Sequence, residues 1–187
     1  MPRRRHIFDS PDRFVPGTVG APGNRTFFLQ AREGPRVVSV SLEKVQVAAL
    51  SQRLIELLEE LEHRGIEDAA EIEGEVGDTA ALDEPLNEAF RAGTLSLGWD
   101  TVDELVILEA LEMTEDEGEA EDEGDEAEDG EEGPDLLRVR FSPAEGRRFV
   151  ARAVRVLAAG RPPCPLCGQP LDPQGHLCPR RNGHLLN

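Results

Sequence analysis

The stretch Leu136-Leu137-Arg138-Val139-Arg140-Phe141-Ser142-Pro143-Ala144-Glu145 decides the fold. Its first half alternates: Leu137, Val139 and Phe141 point one way, Arg138 and Arg140 the other. That period of two is the mark of a half-buried strand. Its second half starts a helix. Ser142 is placed at the N-cap, Pro143 at the first helical position and Glu145 at the third, a capping box with its preferred proline. Phe149, Val150, Ala153, Val154 and Leu157 follow as an apolar stripe, and Gly160 ends the element. A strand running straight into a capped amphipathic helix over residues 142–159 predicts a sheet with helices packed on it.

The same pattern occurs earlier in the chain. Residues 36–42 alternate, with Val38, Val40 and Leu42 on one face. Gly34-Pro35 is a turn signal, so this segment and residues 25–30 predict an antiparallel hairpin. Residues 14–19 form a short apolar run ended by Gly20 and Pro22. A helix over residues 44–64 follows, with Val47, Leu50, Leu54, Leu57 (or Leu58) and Leu61 on one stripe. His63 and Arg64 in its last turn suit the helix dipole, and Gly65 suits the position after its end. Residues 66–83 are acidic and carry no clear period. Residues 90–99 and 101–111 read as two more strands joined near residues 98–100. The apolar run Leu105-Val106-Ile107-Leu108 predicts a strand covered on both faces. The fold class expected is α+β: a mostly antiparallel sheet of about six or seven strands, two amphipathic helices on one face, and a C-terminal zinc knuckle.

Charge divides the chain unevenly. Of the formal net charge of −18, 14 units come from the segment Glu112 to Glu132, which has no basic residue, leaving −4 for the rest. Such a segment buries too little apolar surface to fold alone. The reading is a disordered acidic loop over residues 112–133, inserted between two strands of the α+β domain 1–160. It lacks the spaced Asp, Asn and Gly pattern of a calcium loop, and a solubilising insertion explains it more simply than nucleic-acid mimicry. Arg3-Arg4-Arg5 has no apolar run behind it, so no secretory signal is expected. Nor is a membrane span expected, since no stretch approaches the roughly 18 apolar residues one needs.

All three cysteines fall in the last 24 residues, within a tail taken as 161–187. Cys164-Pro165-Leu166-Cys167-Gly168 offers two thiolates from one tight turn, and Cys178 is the natural third ligand of a tetrahedral zinc. His176 is preferred as the fourth ligand because it shares the turn region of Cys178; His184 is the alternative. The tail is rich in Pro and Gly, and a segment with so little apolar surface needs a metal to become ordered. Pro163 before the pair and Gly168-Gln169-Pro170 after it leave no helix start, which disfavours a thioredoxin-type redox site. An odd cysteine count with a Cys-x-x-Cys pair favours a reducing, cytoplasmic setting. A closed set of four protein ligands leaves no position for an activated water, so the zinc is read as structural.

Two other constellations bear on function. Arg148, Arg152 and Arg155 follow helical spacing, with Arg138 and Arg140 on the preceding strand, and together they form a candidate anion-binding set. The absence of Tyr argues against base stacking. His6, Asp9 and Asp12 cluster near the N-terminus, but no nucleophile accompanies them, and no catalytic residue is assigned. No Walker-type glycine loop or dinucleotide fingerprint occurs.

Several of these stretches resemble an uncharacterised actinobacterial family, a domain of unknown function. They are Asp12-Arg13-Phe14-Val15 with Gly17-Thr18-Val19-Gly20, Arg25-Thr26-Phe27-Phe28-Leu29-Gln30, and Arg161-Pro162-Pro163-Cys164-Pro165-Leu166-Cys167-Gly168 with Gly175-His176-Leu177-Cys178-Pro179-Arg180. The resemblance implies a bacterial cytoplasmic protein acting alongside a histidine phosphatase and a lipid-kinase-like protein, whose genes neighbour those of similar proteins. The family's closing motif includes His176 and not His184. Three functions follow as expectations. The first is a non-catalytic adaptor or protein-interaction module with structural zinc. The second is an enzyme or enzyme subunit of phosphate metabolism using the arginine-rich helix, and the third a nucleic-acid-binding protein.

Overall fold

The computed structural model describes residues 3–66, 78–114, 133–160 and 164–166. In chain order the elements are β1 (Arg5–Phe8), β2 (Arg13–Val19), β3 (Thr26–Glu33), β4 (Arg36–Leu42), α1 (Lys44–His63), β5 (Glu88–Asp100), β6 (Leu105–Glu112), β7 (Leu136–Phe141) and α2 (Pro143–Ala158). The strands form one sheet in the order β1-β7-β6-β5-β4-β3-β2. Four neighbouring pairs are antiparallel; β1 with β7 and β4 with β5 are parallel. The α+β architecture expected from the sequence is the one observed.

Local chemistry accounts for most of the elements. The β3–β4 hairpin turns at Gly34-Pro35, where Gly34 takes φ +55° and Glu33 pairs with Arg36. The Asp12 carboxylate accepts the Gly34 N–H at 2.6 Å and pins that turn to the β1–β2 link. At the start of α2, Glu145 N–H donates to Ser142 Oγ at 3.3 Å, and Ser142 N–H donates to Glu145 Oε2 at 2.8 Å. The capping box read from the sequence is therefore formed. At the start of α1, Gln46 Oε1 accepts the Glu43 N–H at 2.7 Å, a cap that the sequence reading missed.

Three details differ from expectation. The β5–β6 turn lies at residues 101–104, later than expected, because Asp100 Oδ1 accepts the N–H groups of Val102 and Asp103 at 2.9 and 3.1 Å. Strand β6 is not covered equally on both faces: Val106, Leu108 and Ala110 are fully buried, whereas Leu105 and Ile107 are half-buried. On α2, Val154 is exposed, and the buried face runs through Gly146, Phe149, Arg152 and Ala153.

The sheet is rolled. Strands β1 and β4 have three strands between them in the order, yet Arg36 of β4 donates to the Ile7 carbonyl at 2.9 Å and lies 4.2 Å over the Phe8 ring. Phe14 of β2 meets Phe141 of β7 at 5.4 Å and Phe149 of α2 at 5.1 Å, although four strands separate β2 from β7 in the order. The helices close the interior. Gly146 of α2 lets α1 approach, since a Cβ there would already be 3.4 Å from Leu58 and Phe141. One continuous core results, from Phe8 through Leu29, Val40, Leu54 and Leu108 to Phe149.

The acidic insertion leaves the fold at a tied base. Glu112 N–H donates to the Asp135 carbonyl at 2.8 Å, and Asp135 N–H donates to Glu112 Oε2 at 3.1 Å. The disorder expected for residues 112–133 falls mostly on residues outside those described.

Candidate functional site

The strongest concentration of charge chemistry lies where residues 78–86 cross over β2, β3 and α2. Arg13 on β2 binds this segment four times: to the Asp78 carboxylate through Nε, to Asp83 Oδ2 at 2.6 Å, and to the carbonyls of Ala80 and Ala81 at 3.1 and 2.9 Å. Arg32 on β3 reaches Asp83 Oδ1 at 3.1 Å. Gln30, buried on the same strand, donates to the Asp83 carbonyl at 3.0 Å and accepts its N–H at 2.7 Å.

From the other side comes α2. Arg152, only 6% exposed, donates to the Pro16 carbonyl at 2.6 Å, to the Asp78 carbonyl and carboxylate at 2.7 and 3.0 Å, and to the Ala80 carbonyl at 2.8 Å. Arg155 adds a bond to the Asp78 carbonyl at 2.9 Å. The hydrogen bond from Arg13 holds the Asp78 carboxyl below its ordinary value, and the same bond raises Arg13. Burial lowers Arg152. Its five N–H groups form a rigid fork suited to several carbonyls and a carboxylate at once, which Lys cannot reproduce.

A cavity of about 520 Å³ opens beside this clamp, lined by Gly17, Thr18, Leu82, Pro85, Arg152 and Val156. A Cβ at Gly17 would lie 2.5 Å from Leu82 Cδ2, so a larger residue there would displace the Leu82 side chain from the cavity wall. The Glu84–Pro85 peptide is cis.

The five arginines singled out from the sequence occupy two separate places. Arg152 and Arg155 hold the 78–86 segment. Arg138 pairs with Glu109 across β6–β7, while Arg140 bonds Asp100 and Asp103 at 2.6 and 2.7 Å at the β5–β6 turn. There the N–H groups of Asp103 and Val102, then Arg140, keep the Asp100 carboxyl below its ordinary value. Arg148 is exposed on α2. Sequence spacing placed Arg148, Arg152 and Arg155 on one face but carried no sign of the carbonyls that meet two of them. Asp78 and Asp83 were not picked out, because they lie in or just after the acidic stretch without periodicity, and Arg13 was named only within the family-like stretch Asp12-Arg13-Phe14-Val15.

The N-terminal acid and histidine groups do not converge. The His6 ring stacks against Phe90 with centroids 6.3 Å apart, and burial with nearby Arg36 lowers its pKa. Asp9 faces Arg140 at 3.8 Å, and Asp12 is taken by the Gly34 N–H.

Of the predicted zinc ligands, only Cys164 is described. It follows the end of α2 and is 6% exposed. Cys167, His176, Cys178 and His184 lie outside the described residues, as does Arg161. Among the described residues no group of three or more His, Cys, Asp or Glu is placed to hold a metal. None of the described helices is long and apolar enough to cross a membrane.

Comparison with known families places this architecture. The family model described as "Protein of unknown function (DUF3090)" matches residues 6–178. The chain belongs to the DUF3090 family. No curated protein and no solved structure matches it. The DUF3090 match begins at His6 in β1 and runs through Cys164, Cys167 and His176 to Cys178, stopping before His184. The match therefore spans the rolled sheet, the arginine–aspartate clamp and the three cysteines of the tail.

Proposed function

We propose that the chain is a cytoplasmic, non-catalytic protein-interaction module whose C-terminal segment is closed by one structural zinc on Cys164, Cys167, His176 and Cys178. The observation that carries this reading is the burial of Cys164 just after α2. A thiol shielded from water is what the first ligand of a closed Cys-x-x-Cys metal turn requires. Three thiolates and one imidazole are a donor set that suits tetrahedral zinc. That the DUF3090 match ends at Cys178 supports His176 over His184 as fourth ligand. The partner is taken to be a protein; a phosphatase or lipid-kinase-like protein remains what the family resemblance implies.

The phosphate-metabolism reading draws less support. An arginine that already makes four hydrogen bonds to its own chain, as Arg152 does, has little donor capacity for an external phosphate. The nucleic-acid reading would need the arginines on one surface, and Arg138 and Arg140 are paired with acids away from Arg152.

Elemental analysis of the protein purified without added metal tests the proposal. One zinc per chain is expected, lost in Cys178→Ser and His176→Ala and kept in His184→Ala. Metal content indifferent to Cys178→Ser and His176→Ala would overturn it.

A further inference from the structure

Strand β5 is longer than the strand beside it, and this leaves an open edge. Its first residues pair in parallel with β4, Ser39 with Glu88 and Ser41 with Arg91. Strand β4 then ends at Leu42 and the chain turns into α1, while β5 continues to Asp100. From Leu95 to Asp100, β5 pairs with β6 on one side only. Among the described residues, no strand pairs with the other side. Just before this stretch the chain caps its own edge: Gln46 Nε2 donates to the carbonyls of Ala92 and Gly93 at 3.1 and 2.7 Å. Among the described residues no such cap reaches residues 95–99.

Natural edges are blunted by Lys, Pro, an inward charge, a bulge or a covering element. The bulge of β5 against β6 falls between Ala92 and Leu95, before the open stretch. Lys, Pro and charge are the devices a sequence shows. The sequence here is Leu95-Ser96-Leu97-Gly98-Trp99, with none of these. Beside it, α1 and β5 form a groove of about 460 Å³ lined by Gln46, Ala49, Arg53, Leu95, Ser96 and Leu97. Arg53 is exposed, and among the described residues it has neither an ion pair nor a hydrogen bond. Among the described residues the groove lining includes no carboxylate to answer it.

We propose that this edge takes up an extended segment of a partner protein, added as a further strand to β5, with apolar side chains in the α1–β5 groove and an acidic side chain on Arg53. The main-chain groups of residues 95–99 supply the ladder, and alternate side chains of the guest supply selectivity, as in other strand-addition complexes. A second copy of this chain fits less well. Two-fold pairing of β5 with itself brings two grooves together, each with its own Arg53 and no acid among its lining residues. This inference rests on the interaction-module reading and names its docking surface.

Selection of displayed random peptides on the full chain, with amide exchange on the winners, tests it. The expected peptides alternate apolar residues around a Glu or Asp and slow exchange at residues 95–99. Ala49→Trp, which fills the groove from an exposed helix position, should weaken them by about tenfold or more. Arg53→Glu, a surface change that leaves the core alone, should turn the preference from acidic to basic peptides. Binders indifferent to both changes overturn the β5 site while leaving the interaction-module reading in place. A selection without binders overturns the site as well. Amides 95–99 already protected in a chain that runs as a dimer would give the edge to a second copy instead.

Discussion

Arg152 shows how one side chain changes meaning between sequence and fold. In the sequence it is the middle of an arginine row on an amphipathic helix. In the molecule it is buried and ties α2 to β2 and to residues 78–80. Arg152→Met keeps an unbranched apolar stem but leaves three carbonyls and a carboxylate short of a donor. The expected loss is about 3–5 kcal/mol, the range for breaking a buried pair from one side, read from urea denaturation; a loss within 0.5 kcal/mol, the range of ordinary surface changes, would refute the structural role. Asp78 gives the clamp a pH dependence. Its carboxyl titrates lower in the folded chain than the ordinary unfolded value near 3.9, so the stabilisation is full above that value. It is lost as pH falls through the folded value. The gap in stability between the wild-type chain and Asp78→Asn should be constant near neutral pH and close below about pH 4; a gap that widened on acidification would contradict the assignment.

Elements with strong local signals were legible in advance. The hairpin at Gly34-Pro35 and the capped start of α2 each rest on residues within a few positions of one another, and both are as expected. Strand β1 was missed because Arg5–Phe8 is four residues long, too short to show a period. The insertion after β6 is a second matter at this scale. Its base is fixed by the Glu112–Asp135 bonds and by the pairing of Leu111 with Leu136. Loop length itself costs only about 0.6 kcal/mol per doubling. Replacing residues 115–132 by a short Gly/Ser link should therefore preserve the far-ultraviolet circular dichroism of the domain and leave its melting temperature unchanged or slightly raised. Unfolding of the shortened chain would show that the acidic segment takes part in the fold.

The whole molecule depends on closure between distant parts of the chain. Strand β1 pairs with β7, so residues 5–8 complete the sheet beside a strand that comes much later in the chain, Phe8 pairing with Val139. Phe8 is fully buried in that closure, under the Arg36 guanidinium. Phe8→Ala should cost about 3–5 kcal/mol, measured by thermal or urea unfolding; a cost below about 1 kcal/mol, the centre of ordinary point mutations, would mean that the sheet is not rolled onto β1. Membership of the DUF3090 family, with its match across residues 6–178, covers the same closed unit.

The sequence alone determined the α+β class, the two helices and six of the seven strands. Periodicity and caps are local properties, readable without knowing what lies across the core. The tertiary structure alone decided that the sheet rolls, that two of its pairings are parallel, that β5 outruns β4 at an open edge, and that Arg152 is buried. Each of these joins segments far apart in the chain; the bond from Arg152 to Pro16 spans 136 residues. Such contacts are set by shape and by the need to satisfy every buried donor and carbonyl, and no local pattern encodes them.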